Sequence, residues 1–255
     1  MKRELAAGGS FLIVNVNNTF TKFTVSTLEK LGAMRRYPTA QVNAEWVAAL
    51  ARRHPGKPVL LSSVVPAKTT LFEKAFSAGI HRLHGKARLG IEIFYPKKSE
   101  IGADRLANAI AARHLFGGPA VVVDFGTAVT FDIIDASGAY CGGVIAPGLN
   151  MMTDYLHERT ALLPKVSIRE PLRAIGKSTR EAIRVGAVIG YRGMIREILG
   201  AVKHDLGNPR RLHVVATGGQ AGVVAGKMPE IEAILPTLTL DGIRLWGATV
   251  LKRAA

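Results

Sequence analysis

The chain has 255 residues, of which 48% are hydrophobic and 21% charged, and a formal net charge of +15. That apolar share excludes intrinsic disorder, and the length suffices for one large domain or two small ones. One cysteine, Cys141, excludes an intrachain disulfide framework and a Cys-rich zinc site.

Phe11–Val16 and Phe20–Leu28 read as two strands around a polar turn. Gln41–His54 has helical spacing, with Val42, Trp46, Val47 and Leu50 on one stripe. Val59–Ser63 is a short buried strand stopped by Pro66, and Lys68–Ala78 a helix. Asp104–Phe116 is a second helix, ended by Gly117-Gly118-Pro119. Ala120–Asp124, Val129–Asp135 and Tyr140–Ile145 follow as strands, with a hairpin turn at Ser137-Gly138. Ser178 to Leu206 reads as one long helix opened by a capping box of Ser178 and Glu181. Leu212–Ala216 is a strand, and Ile243–Arg253 a closing helix. Strands that alternate with helices predict an α/β fold.

An internal repeat organises these elements. Leu12-Ile13-Val14-Asn15-Val16-Asn17-Asn18-Thr19-Phe20-Thr21 matches Val121-Val122-Val123-Asp124-Phe125-Gly126-Thr127-Ala128-Val129-Thr130, with each residue 109 positions on. Two copies of one hairpin predict a duplicated architecture, with domains at 1–118 and 119–255. A turn of this kind exposes backbone N–H groups and needs residues that tolerate positive φ, which Gly and Asn do. Such N–H groups and the Thr hydroxyls can cradle phosphate, and a carboxylate at the strand end can hold a cation against it. Either turn alone is also an ordinary tight hairpin. The pair, facing across a cleft, predicts a grip on a nucleotide polyphosphate.

Asp104 falls at a helix start, after the Gly102-Ala103 turn. A carboxylate there serves equally as a helix cap or as a general base beside the cationic Arg105. In the second role it activates a hydroxyl for phosphoryl transfer, and Arg105 binds an anionic group of the acceptor. Tyr140-Cys141-Gly142-Gly143-Val144-Ile145-Ala146-Pro147-Gly148 suits either close approach to a ligand or a bulged strand. Thr217-Gly218-Gly219 either admits a flat adenine ring or is a plain strand–helix turn.

These pieces, in this order, resemble the type III pantothenate kinases of the acetate and sugar kinase, heat-shock and actin superfamily. The likeness runs from about Phe11 to Leu251. It rests on the Asn15–Lys22 hairpin, Ser62-Ser63-Val64-Val65-Pro66, Tyr95 with Gly102-Ala103-Asp104-Arg105, Asp124 to Thr130, Gly142 to Gly148, Ser178-Thr179 and Thr217-Gly218-Gly219. The resemblance implies two RNase H-like, actin-like ATPase domains around a nucleotide cleft. It implies ATP-dependent phosphorylation of pantothenate, the first step of coenzyme A synthesis. Asp104 then matches the proton acceptor. Tyr95, Gly102, Ala103, Asp104, Arg105 and Thr179 match the pantothenate site, with Thr179 acting across a homodimer interface. Asn15, Asn17, Asn18, Thr19, Lys22, Gly126, Thr127, Gly218 and Gly219 match the ATP site. Asp124 matches the ligand of a monovalent cation, potassium or ammonium, and magnesium is implied with the ATP.

One position departs from the family pattern. The first loop of the family reads Asp-x-Gly-Asn-Thr, and this chain has Asn15-Val16-Asn17-Asn18-Thr19. Asn15 is nearly isosteric with Asp but neutral, and magnesium prefers anionic oxygen. A working kinase with a modified loop is expected; a catalytically weak homologue that binds ligand as a regulator is the alternative.

The pI near 10.3 raises nucleic acid as a third class of partner. Basic residues are dispersed and no run exceeds two, as at Arg35-Arg36 and Arg210-Arg211, and aromatics are 6%, so no nucleic-acid tract is formed. The apolar run Phe11 to Val14 is too short for a secretory signal, and nothing reaches the roughly 18 apolar residues of a membrane span. A cytoplasmic protein is expected, and Cys141 is read as a small buried residue.

Overall fold

The computed structural model describes residues 9–77 and 79–251. In the first sheet, β1 (Phe11–Val16) and β2 (Phe20–Ser26) form an antiparallel hairpin. Strand β3 (Arg35–Pro38) adds antiparallel to β2. Strand β4 (Val59–Ser63) runs parallel to β1, and β5 (Ile80–Arg82) parallel to β4. The order is β3-β2-β1-β4-β5. Helices α1 (Ala44–Arg53), α2 (Pro66–Ala75) and α3 (Ala103–Phe116) accompany this sheet in sequence.

The second sheet repeats the plan. Hairpin β6 (Ala120–Phe125) and β7 (Ala128–Ile134) continues antiparallel into β8 (Tyr140–Pro147), while β9 (His213–Thr217) lies parallel to β6 and β10 (Ala233–Ile234) parallel to β9. Read from β8, the order β8-β7-β6-β9-β10 is that of the first sheet. Its helices are α4 (Leu149–Glu158), α5 (Thr179–Val185), α6 (Tyr191–Asp205) and α7 (Ala221–Ala225); α8 (Leu238–Val250) closes the chain.

Burial follows from the patterning. Strands β1 and β6 are central and buried on both faces, so they read as continuous apolar runs. In the first unit Leu12, Val14, Val16, Val59 and Leu61 meet Val47, Leu50 and Phe72 of α1 and α2. Toward the other face, α8 packs on β1 and β4, where Gly247 comes close to Leu60 and Phe11. In the second unit Val121, Val123, Phe125, Val129 and Phe131 pack on Leu149, Tyr191, Ile195, Leu199 and Val224.

The chain divides into two compact units, one running to Leu115 and resuming at Thr237, the other Phe116–Pro236. The sequence suggested a single division, near Gly117–Pro119. By compactness the chain crosses at Leu115–Phe116 and returns at Pro236–Thr237. The return comes from α8, whose Gly242 approaches the Ala107 carbonyl of α3 too closely for any side chain.

Several bounds differ from the sequence reading for local reasons. Helix α1 starts at Ala44 because the Asn43 side chain accepts the Trp46 N–H at 2.8 Å; Thr39–Gln41 is a separate 3-10 turn. Helix α2 starts at Pro66, since proline has no N–H to lose in the first turn; its expected end, Ala78, lies outside the described residues. Strand β2 ends at Ser26, two residues short of Leu28. The long helix is interrupted by a π-helical turn at Gly186–Gly190. Helix α8 begins at Leu238, five residues before Ile243, and its expected end at Arg253 is also outside the described residues. The strands β3, β5 and β10 and the helix α7 span five residues or fewer, too short for a period to show, whereas α4 is amphipathic over ten residues and is absent from the sequence reading.

The repeat holds residue for residue through its first strands only. Asn15 faces Lys22 across the first hairpin, whereas Asp124 faces Thr130 across the second. The first turn is one residue longer, so beyond it the matching position to Thr130 is Lys22 rather than Thr21.

Candidate active site

The first loop stands at the carboxyl ends of β1 and β4, the edge at which open α/β sheets take ligands. Asn15 on β1 pairs with Ser62 on β4 and with Lys22 on β2, and directly paired residues share a face. Asn15 and Ser62 are buried, and Lys22 is half-buried. Both polar atoms of the Asn15 amide, Asn17 Oδ1 and Ser62 Oγ are buried without a hydrogen-bond partner in the protein. Asn18 and Thr19 are exposed at the tip. Thr39, absent from the sequence reading, fixes the loop: its hydroxyl donates to Asn17 O at 2.7 Å, and its N–H donates to Thr19 O at 3.0 Å. Thr39 gives no sequence signal because it acts from a distant turn.

The second loop is held by glycines. The Gly126 N–H donates to Ala128 O at 3.1 Å, and Gly126 and Thr127 are exposed. Gly218, at φ +94°, approaches so closely that a Cβ would lie 2.5 Å from Asp124 Oδ1 and 2.6 Å from Phe125 N. Gln220 N–H donates to Phe125 O at 3.1 Å. A Cβ on Gly148 would overlap the Thr127 carbonyl. Asp124, Gly126, Thr127 and Gly218 are thus brought together, and Gly148 joins them; Gly219 is exposed beside Gly218.

Asp104 lies in the first turn of α3, where its Oδ1 accepts the Arg105 N–H at 2.9 Å. Burial pushes its carboxyl above the ordinary carboxylate range, against the opposing pull of the Arg105 N–H and guanidinium. Gly102 makes room for the carboxylate, since a Cβ there would sit 2.6 Å from Asp104 Oδ1. Arg105 is buried, and Tyr95 half-buried. A cavity of about 400 Å³ opens beside this turn, with Ser63, Val64, Arg82, His84, Gly102 and Ala103 in its wall. Burial and the neighbouring Arg82 and Lys86 hold the His84 imidazole below its usual range, so it is neutral at pH 7. Arg82 and His84 escaped the sequence reading because β5 is only three residues long.

Thr179 is exposed at the head of α5, in the second unit. Ser178 caps that helix by accepting the Glu181 N–H at 3.3 Å. Glu181 reaches back to the Lys177 N–H at 2.7 Å, one residue before the cap itself. Cys141 is half-buried; burial, with Asp135 nearby, pushes its thiol up, and Sγ donates to Ile133 O. It is a packing residue.

Metal chemistry is unevenly supported. No cluster of three or more His, Cys, Asp and Glu occurs among the described residues. The unpartnered buried oxygens at the first loop, from Asn15, Asn17 and Ser62, are all neutral. Magnesium favours carboxylate or phosphate oxygen, so this donor set does not fit a magnesium ion held by the protein. At the second loop Asp124 offers one carboxylate against close backbone, oxygen of the kind that hard cations take. No helix among the described residues is long and apolar enough to cross a membrane.

Comparison with known proteins bears on the family and the fold. A family model described as type III pantothenate kinase matches residues 11–201. The type III pantothenate kinase of Methylacidiphilum infernorum is 48% identical over 95% of this chain and 89% of its own length. That of Akkermansia muciniphila is 44% identical over 92% of this chain and 97% of its own. In fold alone, the chain is similar to MreB 5 of Spiroplasma citri bound to AMPPNP. That likeness has a TM-score of 0.55 and 12% identity, and covers 94% of this chain and 96% of the other.

Proposed function

The chain belongs to the type III pantothenate kinase family, and from that premise we propose which of its residues carry the reaction. It is an actin-like α/β kinase that uses ATP to phosphorylate pantothenate in coenzyme A biosynthesis.

Asp104 is the proton acceptor. Its raised carboxyl is the observation that carries this reading, because a base with a higher pKa draws a hydroxyl proton more strongly. The acceptor oxygen attacks the γ-phosphorus, its proton passes to Asp104, and ADP leaves with the bridging oxygen. Arg105, with Tyr95, Gly102 and Ala103, binds pantothenate, and the guanidinium matches its carboxylate. The cavity beside this turn is lined by Gly102 and Ala103 of that set, and not by Tyr95, Asp104 or Arg105.

Asn17, Asn18, Thr19, Lys22, Gly126 and Thr127 contact the ATP phosphates, and Gly218 and Gly219 the nucleoside. Asp124 holds potassium or ammonium, which when bound supplies positive charge beside the phosphates. The first loop offers only neutral donors, so any magnesium that the transfer step uses would be held by phosphate oxygens rather than by this loop.

Thr179 contacts pantothenate from a second copy, so the active form is a homodimer. Its exposure supports this, as do exposed Met151, Tyr155, Leu162, Leu172 and Ile175 in the same unit. A cytoplasmic location matches substrates of this class.

A coupled ADP-release assay with and without pantothenate tests the assignment. Wild-type protein is expected to turn over only with pantothenate present, and Asp104→Asn to lose at least about a hundredfold in kcat. Full activity in Asp104→Asn removes the residue from this role.

A further inference from the structure

The first loop and the strand beside it carry buried polar groups without partners in the protein. Asn15 and Ser62 are both essentially unexposed, at 1% and 0%, and lie side by side on β1 and β4. Asn15 Nδ2, Asn15 Oδ1 and Ser62 Oγ have no partner in the protein. Leaving such atoms unsatisfied is costly, so a fold that keeps three on neighbouring strands calls for a polar ligand there. Two of the three, the amide N–H and the hydroxyl, can donate. Across the hairpin, Lys22 shares the face and has no ion-pair partner among the described residues.

Charge then decides what the ligand is. A carboxylate at position 15 would cancel Lys22 and turn an acceptor toward any phosphate oxygen. Asn15 leaves Lys22 uncancelled, so the patch is one positive charge richer, and its amide can donate to the oxygen that a carboxylate repels. A more positive patch favours the more anionic ligand. Nucleoside triphosphate without its divalent ion carries two more negative charges than with it.

We propose that Asn15, Ser62 and Lys22 bind nucleotide phosphate directly and without a divalent cation. Asn15 Nδ2 and Ser62 Oγ donate to phosphate oxygens, and Lys22 supplies the countercharge that a metal would otherwise bring. This rests on the ATP site described above and goes beyond it by setting which ionic form of ATP the resting protein takes up.

Isothermal titration of the full chain with ATP, in excess magnesium and in excess EDTA, tests it. In wild-type protein EDTA should leave binding no weaker, whereas in Asn15→Asp the same change should weaken it by about tenfold or more. Lys22→Met and Ser62→Ala should each lose affinity selectively in EDTA. They decide the matter should the buried carboxylate of Asn15→Asp prevent folding, which circular dichroism would reveal. Equal EDTA sensitivity in wild-type and Asn15→Asp, or no selective loss in Lys22→Met, overturns the proposal while leaving the ATP site standing. Absence of ATP binding under both conditions overturns the ATP site itself.

Discussion

Two side chains define the chemistry at the scale of single residues. Asp104 carries a carboxyl raised by burial, so the folded protein holds its proton more tightly than the unfolded chain does. Its stabilising contribution is therefore complete below the ordinary value of 3.8 and is lost as pH rises through the raised value. Asp104→Asn removes that loss. It is expected to melt at higher temperature than wild type at pH 7, with the gap closing toward pH 4, while losing phosphorylation. An unchanged melting temperature at both pH values would show that burial does not strain the carboxylate. Asn15 is the second residue. Restoring the family carboxylate with Asn15→Asp should raise kcat in saturating magnesium, since a carboxylate can orient a metal brought by the nucleotide; steady-state assays at varied magnesium read this directly. The substitution was visible in the sequence. Its neighbours Ser62 and Lys22 as direct partners were not, because strand register sets them and register is a tertiary property.

Turns and caps decide the local geometry at the scale of elements. The β7–β8 hairpin is closed by Asp135, whose carboxylate accepts Ser137 N–H at 2.8 Å, Ser137 Oγ at 2.6 Å and Ala139 N–H at 3.0 Å. Burial pushes that carboxyl up, but these bonds outweigh it and hold it below the ordinary range. Its contribution is thus present above pH 3.8 and lost as pH falls through the lowered value. Asp135→Ala should cost about 1–2 kcal/mol in chemical denaturation at pH 7, and less in acid. Gly218 is the second element-scale case. Its positive φ and its contact with Asp124 and Phe125 leave no room for a methyl group. Gly218→Ala should destabilise by about 1–3 kcal/mol and raise the potassium concentration needed for half-maximal rate. A potassium response that matches wild type would separate Asp124 from the cation. The Ser137-Gly138 turn and the Ser178–Glu181 cap were legible from sequence because both are contacts within five residues. The Gly218 contact joins the turn after β9 to the end of β6, and spacing could not indicate it.

The whole molecule is a duplication whose two sheets share one strand order. The proposed homodimer, with Thr179 exposed on the second unit, is tested at this scale. Sedimentation at micromolar concentration should give twice 27.3 kDa. A monomer with full activity would remove Thr179 from the site.

The sequence by itself determined the α/β class, the repeated hairpin and the order of the motifs, because these are written in local periodicity and turn chemistry. It also displayed the missing carboxylate at position 15. Only the tertiary structure decided that α8 returns to the first unit, that Thr39 ties down the first loop, and that Asn15, Ser62 and Lys22 meet on one face. Those contacts join residues as near in sequence as Asn15 and Lys22 and as distant as Ala107 and Gly242. Strand pairing and helix packing bring them together through the burial of apolar faces, whose partners no single segment of sequence specifies.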